Sequence, residues 1–122
     1  MHTINQKIKE ITDTIVKEYQ PEKIILFGSY AWGEPHEWSD VDLLVVKEST
    51  KTQLERRREL RRLLLDADMP LDILVHTKKE LEDNINEKRN LFLEDIVRNG
   101  LTLYSATQGE IELTHTPATL IT

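Results

Sequence analysis

Two carboxylates, Asp40 and Asp42, stand at alternate positions at the head of an apolar run that continues through Leu43, Leu44, Val45 and Val46. Residues two apart on a strand share a face, so both carboxylates point one way and Val41 the other. Held side by side in an ordinary core face, two such charges repel and lose their hydration. A divalent cation between them reverses the sign of that interaction. Mg²⁺ takes a few carboxylate oxygens together with waters and substrate phosphates. Two such ions close together clamp the attacking and leaving oxygens of an in-line displacement at phosphorus.

Gly28 and Ser29 supply the complementary half, separated from the acid pair by the ten residues Tyr30 to Ser39. Glycine lets backbone approach a phosphate closely. The N–H groups of a turn that opens a helix point at an anion, and Ser29 adds a hydroxyl donor. The loop is not a Walker loop, because no GxxxxGK[ST] string occurs. A third acid is expected on a neighbouring strand, and Asp72 in Leu71–His76 is the candidate. It would complete a metal site or take a proton from an incoming hydroxyl. Asp66 and Asp68 are rivals placed in the turn before that strand.

These residues need elements to position them. Ile4, Ile8, Ile11, Ile15 and Tyr19 recur at three- and four-residue steps, which predicts a helix over 3–19 capped by Thr3 and stopped by Pro21. Lys23–Phe27 is a short β-branched run that predicts a buried strand, with Gly28-Ser29 as the turn out of it. Ser29–Trp32 is expected to open a short helix and residues 33–39 to form a loop. Asp40–Val46 is the second strand, covered on both faces. Ser49-Thr50 caps a helix over 52–66, and Leu71–His76 is a third strand. Thr77 and Glu80 have capping-box spacing. They lead a long helix to Arg98, with Leu81, Ile85, Phe92 and Ile96 inward and Asn99-Gly100 as a glycine-type stop. Leu101–Tyr104 is a fourth, edge strand. Residues 105–122 hold five threonines but no aromatic residue, lysine or arginine, so they read as a mobile tail or weak β extension, not a second domain.

At 122 residues the chain suits one domain with one modest core. With 39% hydrophobic and 31% charged residues it reads as globular, not disordered. No apolar run is long enough to span a membrane, and no signal peptide is visible. The absence of cysteine excludes a disulfide framework and a thiol nucleophile. A cytoplasmic location is the simplest expectation. The formal charge of −6 disfavours a general nucleic-acid coat, but a metal ion can invert the field locally and admit a nucleotide.

The string Gly28-Ser29, ten residues, then Asp40-Val41-Asp42-Leu43-Leu44-Val45 resembles the signature of DNA polymerase β-type nucleotidyltransferases. The form GSYAWGE…SDVDLLV is similar to their minimal branch, the MNT-domain proteins, often antitoxin partners of HEPN-domain toxins of the MntA–HepT type. The resemblance covers about residues 4–104, and residues 105–122 fall outside it. It implies an α/β (α+β) nucleotidyltransferase fold, with a small mixed sheet flanked by helices. Gly28 and Ser29 would hold the triphosphate, and Asp40, Asp42 and Asp72 would be the catalytic, metal-binding carboxylates for two Mg²⁺ ions. ATP would be the donor, and a tyrosine hydroxyl of a HEPN ribonuclease the AMP acceptor. Larger relatives carry an additional helical domain for the acceptor; its absence here favours a protein acceptor that brings its own binding surface. Many relatives carry Arg where this chain has Trp32, which suggests a partner surface there in place of a basic contact. A non-catalytic antitoxin and a small-molecule nucleotidyltransferase are the competing readings.

Other residues have plainer expectations. His76, on the face of Asp72, is expected to be a strand-end solvent histidine. His36 and Glu37 are loop residues, and Tyr30 and Trp32 are packing or stacking residues. Arg56, Arg57, Arg58, Arg61 and Arg62 form a solvated helix face partnered by Glu55 and Glu59, or a basic patch for an acidic partner.

Overall fold

Three threonines start three helices in the same way. In the computed structural model, which describes residues 3–33, 35, 39–106 and 111–114, Thr3, Thr52 and Thr77 each accept a hydrogen bond from the N–H three residues on. The side chains of Gln6, Glu55 and Glu80 each reach back to the N–H of the capping threonine. Each box satisfies two N–H groups that a helix start leaves unpaired. Helix α1 runs Ile4–Tyr19 and ends at Gln20, which is left-handed at φ 52°. Helix α2 runs Gln53–Leu63. Its cap is Thr52, not the expected Ser49-Thr50; Ser49 Oγ instead accepts from Lys51 N.

The strands are β1 (Lys23–Phe27), β2 (Val41–Val46), β3 (Leu71–His76) and β4 (Leu101–Ser105). They form a mixed sheet in the order β3-β2-β1-β4. β1 is antiparallel to β2 and β4, while β2 and β3 are parallel. The edge position expected for the last strand is observed. Helices α1 and α2 cover one face, where Ile8, Ile11, Ile15 and Leu60 meet Leu43, Val45, Ile73 and Val75. The other face carries Ile25, Phe27, Leu44 and Val46 against Leu81, Ile85, Leu93 and Ile96. β2 is covered on both sides, as its unbroken apolar run requires. Burying one such side chain contributes about 2 kcal/mol.

The long helix expected over 78–98 is three pieces. Helix α3 (Lys78–Glu82) continues as a π-helical segment, Asp83–Glu87, and helix α4 runs Leu91–Asn99. Arg89 between them is left-handed at φ 56°. Asn90 then caps α4 by accepting from Leu93 N at 3.1 Å. This break resets the helical phase, so Leu93 and Ile96 point inward while Phe92 is 59% exposed. Gly100 is not a left-handed stop either, having φ −68° and ψ 162°. It is needed for closeness: a β-carbon there would meet Ile25 Cγ2 and lie 2.5 Å from Ile96 O and 3.1 Å from Leu26 O.

Residues 111–114 lie against the π-helical segment. Asn86 Nδ2 donates to Glu112 O, Thr114 N donates to Asn86 Oδ1, and Glu112 N donates to Glu82 Oε2, each at 2.9 Å. The rest of the expected tail, 107–110 and 115–122, lies outside the described residues. No helix among the described residues is long and apolar enough to cross a membrane.

Candidate active site

Strand register alone brings the acids together. Asp42 and Asp72 are Cα partners in the parallel β2–β3 pair, about 4.8 Å apart as neighbouring strands are. Asp40 lies one residue ahead of β2 and is exposed. It shares Asp42's parity, so the three carboxylates line one edge of one face. They lie at the end of the sheet where β1 leaves and β2 and β3 begin. Asp42 is half-buried and Asp72 exposed. Burial pushes the Asp42 carboxyl above the ordinary carboxylate range, and the charges of Asp72 and then Asp40 push it the same way. Both neighbouring carboxylates are thus felt at Asp42.

The Gly28 turn sits across the β1–β2 pair from them. Phe27, the last residue of β1, is the cross-strand partner of Asp42. Gly28 follows it at φ +76°, a conformation that disfavours any side chain. A β-carbon at Gly28 would fall within contact of Asp42 Oδ2 and 3.0 Å from its Cγ. The Asp42 carboxylate thus packs directly against the glycine, in the place a side chain there would take. Gly28 O accepts from Ala31 N at 3.0 Å and Trp32 N at 3.1 Å, so the chain coils through a single turn there instead of the expected short helix. Ser29 lies on that turn.

Among the described residues no three acidic or histidine side chains converge into a ready-made metal cage. The donor set nonetheless suits Mg²⁺, which uses one or two carboxylates and fills its remaining positions with water and phosphate oxygens. Burial first, and then the charges of Asp72 and Asp40, disfavour the ionised Asp42 carboxyl, and a bound cation would oppose that effect.

His76 is only 12% exposed by its side chain. Its Nδ1 lies 3.1 Å from Gln53 Nε2, and burial lowers its pKa although Glu80 opposes the shift. It sits at the far end of β3 from Asp72, so it belongs to the helix supports and not to the acid cluster. His36 and Glu37 lie outside the described residues. Trp32 is 51% exposed, whereas Tyr30 packs against the α1–α2 core. The arginine cluster divides: Arg56 is buried, donating to Glu80 Oε1 at 2.7 Å and Ser49 O at 3.3 Å, while its four companions are exposed. Sequence reasoning missed Arg56 as a support. Its signal was Glu80, a capping-box carboxylate with one oxygen to share between Thr77 N and a guanidinium. Phe92 was also missed as a neighbour of the site; its ring meets Phe27 edge-on at 5.9 Å.

A mixed sheet of this order, with Asp42 and Asp72 paired on adjacent strands beside a glycine turn, fits the nucleotidyltransferase fold. The chain matches the family "Polymerase beta, Nucleotidyltransferase" over residues 6–109, and it belongs to that family. It is 31% identical over 94 residues to "Putative protein adenylyltransferase MJ0141" of Methanocaldococcus jannaschii, covering 75% of this chain and 94% of the relative. It is 34% identical over 101 residues to MJ0604 of the same organism, described in the same words, covering 80% and 94%. Among solved structures, a "putative nucleotidyltransferase" from Sulfolobus solfataricus aligns with TM-score 0.58 at 21% identity, over 88% of this chain and 85% of that one. A toxin–antitoxin with AMP-PNP aligns with TM-score 0.54 at 21% identity, over 82% and 75%. An MntA–HepT toxin–antitoxin mutant aligns with TM-score 0.53 at 20% identity, over 88% and 76%. At these identities the structures establish a shared fold.

Proposed function

We propose that this chain is a Mg²⁺-dependent protein adenylyltransferase acting as an antitoxin, moving AMP from ATP to a tyrosine hydroxyl of a HEPN ribonuclease. The reading is carried by one observation: Asp42 and Asp72 stand side by side, and the Gly28 turn packs directly against the Asp42 carboxylate. The two relatives described as protein adenylyltransferases support a protein acceptor. The toxin–antitoxin chains of similar fold support a toxin as that acceptor.

The residues divide the work. The Gly28-Ser29 turn binds the β- and γ-phosphates through backbone N–H groups and the Ser29 hydroxyl. Asp40, Asp42 and Asp72 would hold Mg²⁺, which when bound neutralises charge developing on the phosphates. Asp72, the outermost acid, takes the proton of the incoming phenol. The phenolic oxygen bonds to the α-phosphorus as the bond from that phosphorus to the bridging oxygen breaks, and pyrophosphate leaves.

Intact-mass spectrometry of a candidate HEPN partner, incubated with this protein, Mg²⁺ and each NTP in turn, tests the proposal. The expected result is the addition of one or more AMP units with ATP, lost when Asp40 and Asp42 are replaced by Asn. Full neutralisation of the toxin by that variant would instead establish protection by binding alone.

A further inference from the structure

β3 ends the sheet on one side, so one of its edges has no strand beside it among the described residues. The ladder fixes which backbone groups that edge offers. β2 donates from Val41 N to Pro70 O at one end, and Lys47 N donates to His76 O at the other, each at 3.0 Å. A parallel ladder engages alternate residues of each strand. Asp72, Leu74 and His76 therefore turn their N–H and C=O groups toward β2, and Leu71, Ile73 and Val75 turn theirs outward. Arg56 Nη1 takes the outward carbonyl of Val75 at 3.4 Å. The far end of the edge is closed in this way. The end beside Asp72 offers the groups of Leu71 and Ile73.

Natural edges are usually guarded by lysine, proline or a bulge. From Leu71 to Val75 this strand has none, and its single charge, Asp72, belongs to the acid cluster. Against the same open end lies a cavity of about 230 Å³, lined by Arg57, Arg61, Leu64, Leu65, Leu71 and Ile73. Arg57 and Arg61 are exposed. Among the described residues the ion pairs of their helix join Arg56 to Glu80 and Glu59 to Lys51. Leu65 is 79% exposed.

Resting on the transferase reading, we propose that the acceptor protein docks by adding an extended segment to the open edge of β3. Main-chain hydrogen bonds to Leu71 and Ile73 supply affinity, and alternate side chains supply specificity. Side chains of one parity lie on the face of Asp72, which delivers the tyrosine hydroxyl to the acids. Its immediate neighbours fall on the α2 face, against Leu64, Leu65 and the exposed guanidinium groups of Arg57 and Arg61. The acceptor segment therefore carries acidic and apolar residues on either side of its tyrosine.

The probe is a synthetic peptide with a central tyrosine flanked directly by glutamate and leucine, used also in backbone N-methylated and lysine-for-glutamate forms. Amide hydrogen exchange at Leu71 and Ile73 reads docking, and peptide mass with Mg-ATP reads transfer. Slowed exchange at both amides is expected, abolished by N-methylation. An Arg57→Glu, Arg61→Glu double variant should bind the glutamate peptide about tenfold more weakly and the lysine peptide more tightly. Slowed exchange without AMP addition leaves the docking edge standing and overturns the transferase reading. AMP addition with unchanged exchange, or undiminished by N-methylation, overturns the docking edge and leaves the transferase standing. Unchanged exchange with every peptide overturns the docking edge as well.

Discussion

Gly28 and Asp42 occupy adjoining space across the β1–β2 pair, the β-carbon position of one lying 3.0 Å from the carboxyl carbon of the other. Two independent demands meet at Gly28. Its φ of +76° disfavours any side chain, and the Asp42 carboxylate fills the place a side chain would take. Gly28→Ala should therefore cost about 1–3 kcal/mol of stability and remove ATP binding even in the folded fraction. Urea unfolding and titration calorimetry with Mg-ATP check the two effects separately; unchanged ATP affinity would show that the turn holds no phosphate.

Asp42 should be a residue that function retains at the expense of stability. Its folded-state pKa is raised above the ordinary 3.8, by burial first and then by Asp72 and Asp40. The folded protein therefore binds the proton more tightly than the unfolded chain does. Stability is fully present below about pH 3.8, falls as pH rises through the raised value, and is flat above it. Asp42→Asn removes that loss. It should raise the melting midpoint of the metal-free protein at pH 7 by about 2–3 °C, with no gain at pH 3.5. Mg-ATP should raise the midpoint of the wild type but not of the variant. A variant that melts below the wild type at pH 7 would contradict the charge-cluster account.

The fold was legible where one local rule acts. Thr3 as a cap, the apolar run of β2 and the alternation that pairs Asp40 with Asp42 all follow from spacing, and so does Asp72 once the strand starting at Leu71 is found. What failed depended on tertiary contact. Asn90 restarts helix α4 after left-handed Arg89 breaks the chain beyond the π-helical segment, and no periodicity in 78–98 announces that break. Gly100 looks like a helix stop in sequence, but its reason is the approach of α4 to β1. Arg56 is one of five arginines in a seven-residue stretch, and only the position of Glu80 across the fold decides which of them is buried.

The Arg56–Glu80 pair should govern acid stability. Burial opposes ionisation of Glu80, but hydrogen bonds from Arg56 and from the Thr77 N–H outweigh it and hold its pKa below the ordinary 4.5. The unfolded chain takes up that proton first. The stability from Glu80 is thus present above about pH 4.5 and disappears as pH falls through the lower folded value. Glu80→Gln keeps a hydrogen-bond acceptor beside a buried guanidinium but loses its charge. It should cost about 1–3 kcal/mol at pH 7 and flatten the melting curve between pH 3 and 5. Parallel pH profiles of the two proteins in that interval would exclude Glu80 as the titrating group.

Gly100→Ala separates packing from chemistry. Gly100 has an ordinary backbone conformation and lies on the connection from α4 to β4, whereas Gly28 lines the acid cluster. An added methyl group would press on the carbonyl of Ile96 at 2.5 Å and of Leu26 at 3.1 Å. Backbone on both sides leaves little room for relief. The cost should be about 1–3 kcal/mol or somewhat more, as for other overpacked sites. The folded fraction should nonetheless bind Mg-ATP with wild-type affinity, because nothing at Asp40, Asp42 or Asp72 has changed. The comparison is made by calorimetry at a temperature where both proteins are folded. If Gly100→Ala weakens ATP binding as much as Gly28→Ala does, the loss at Gly28 reflects a general loosening of β1 and not a phosphate-binding turn.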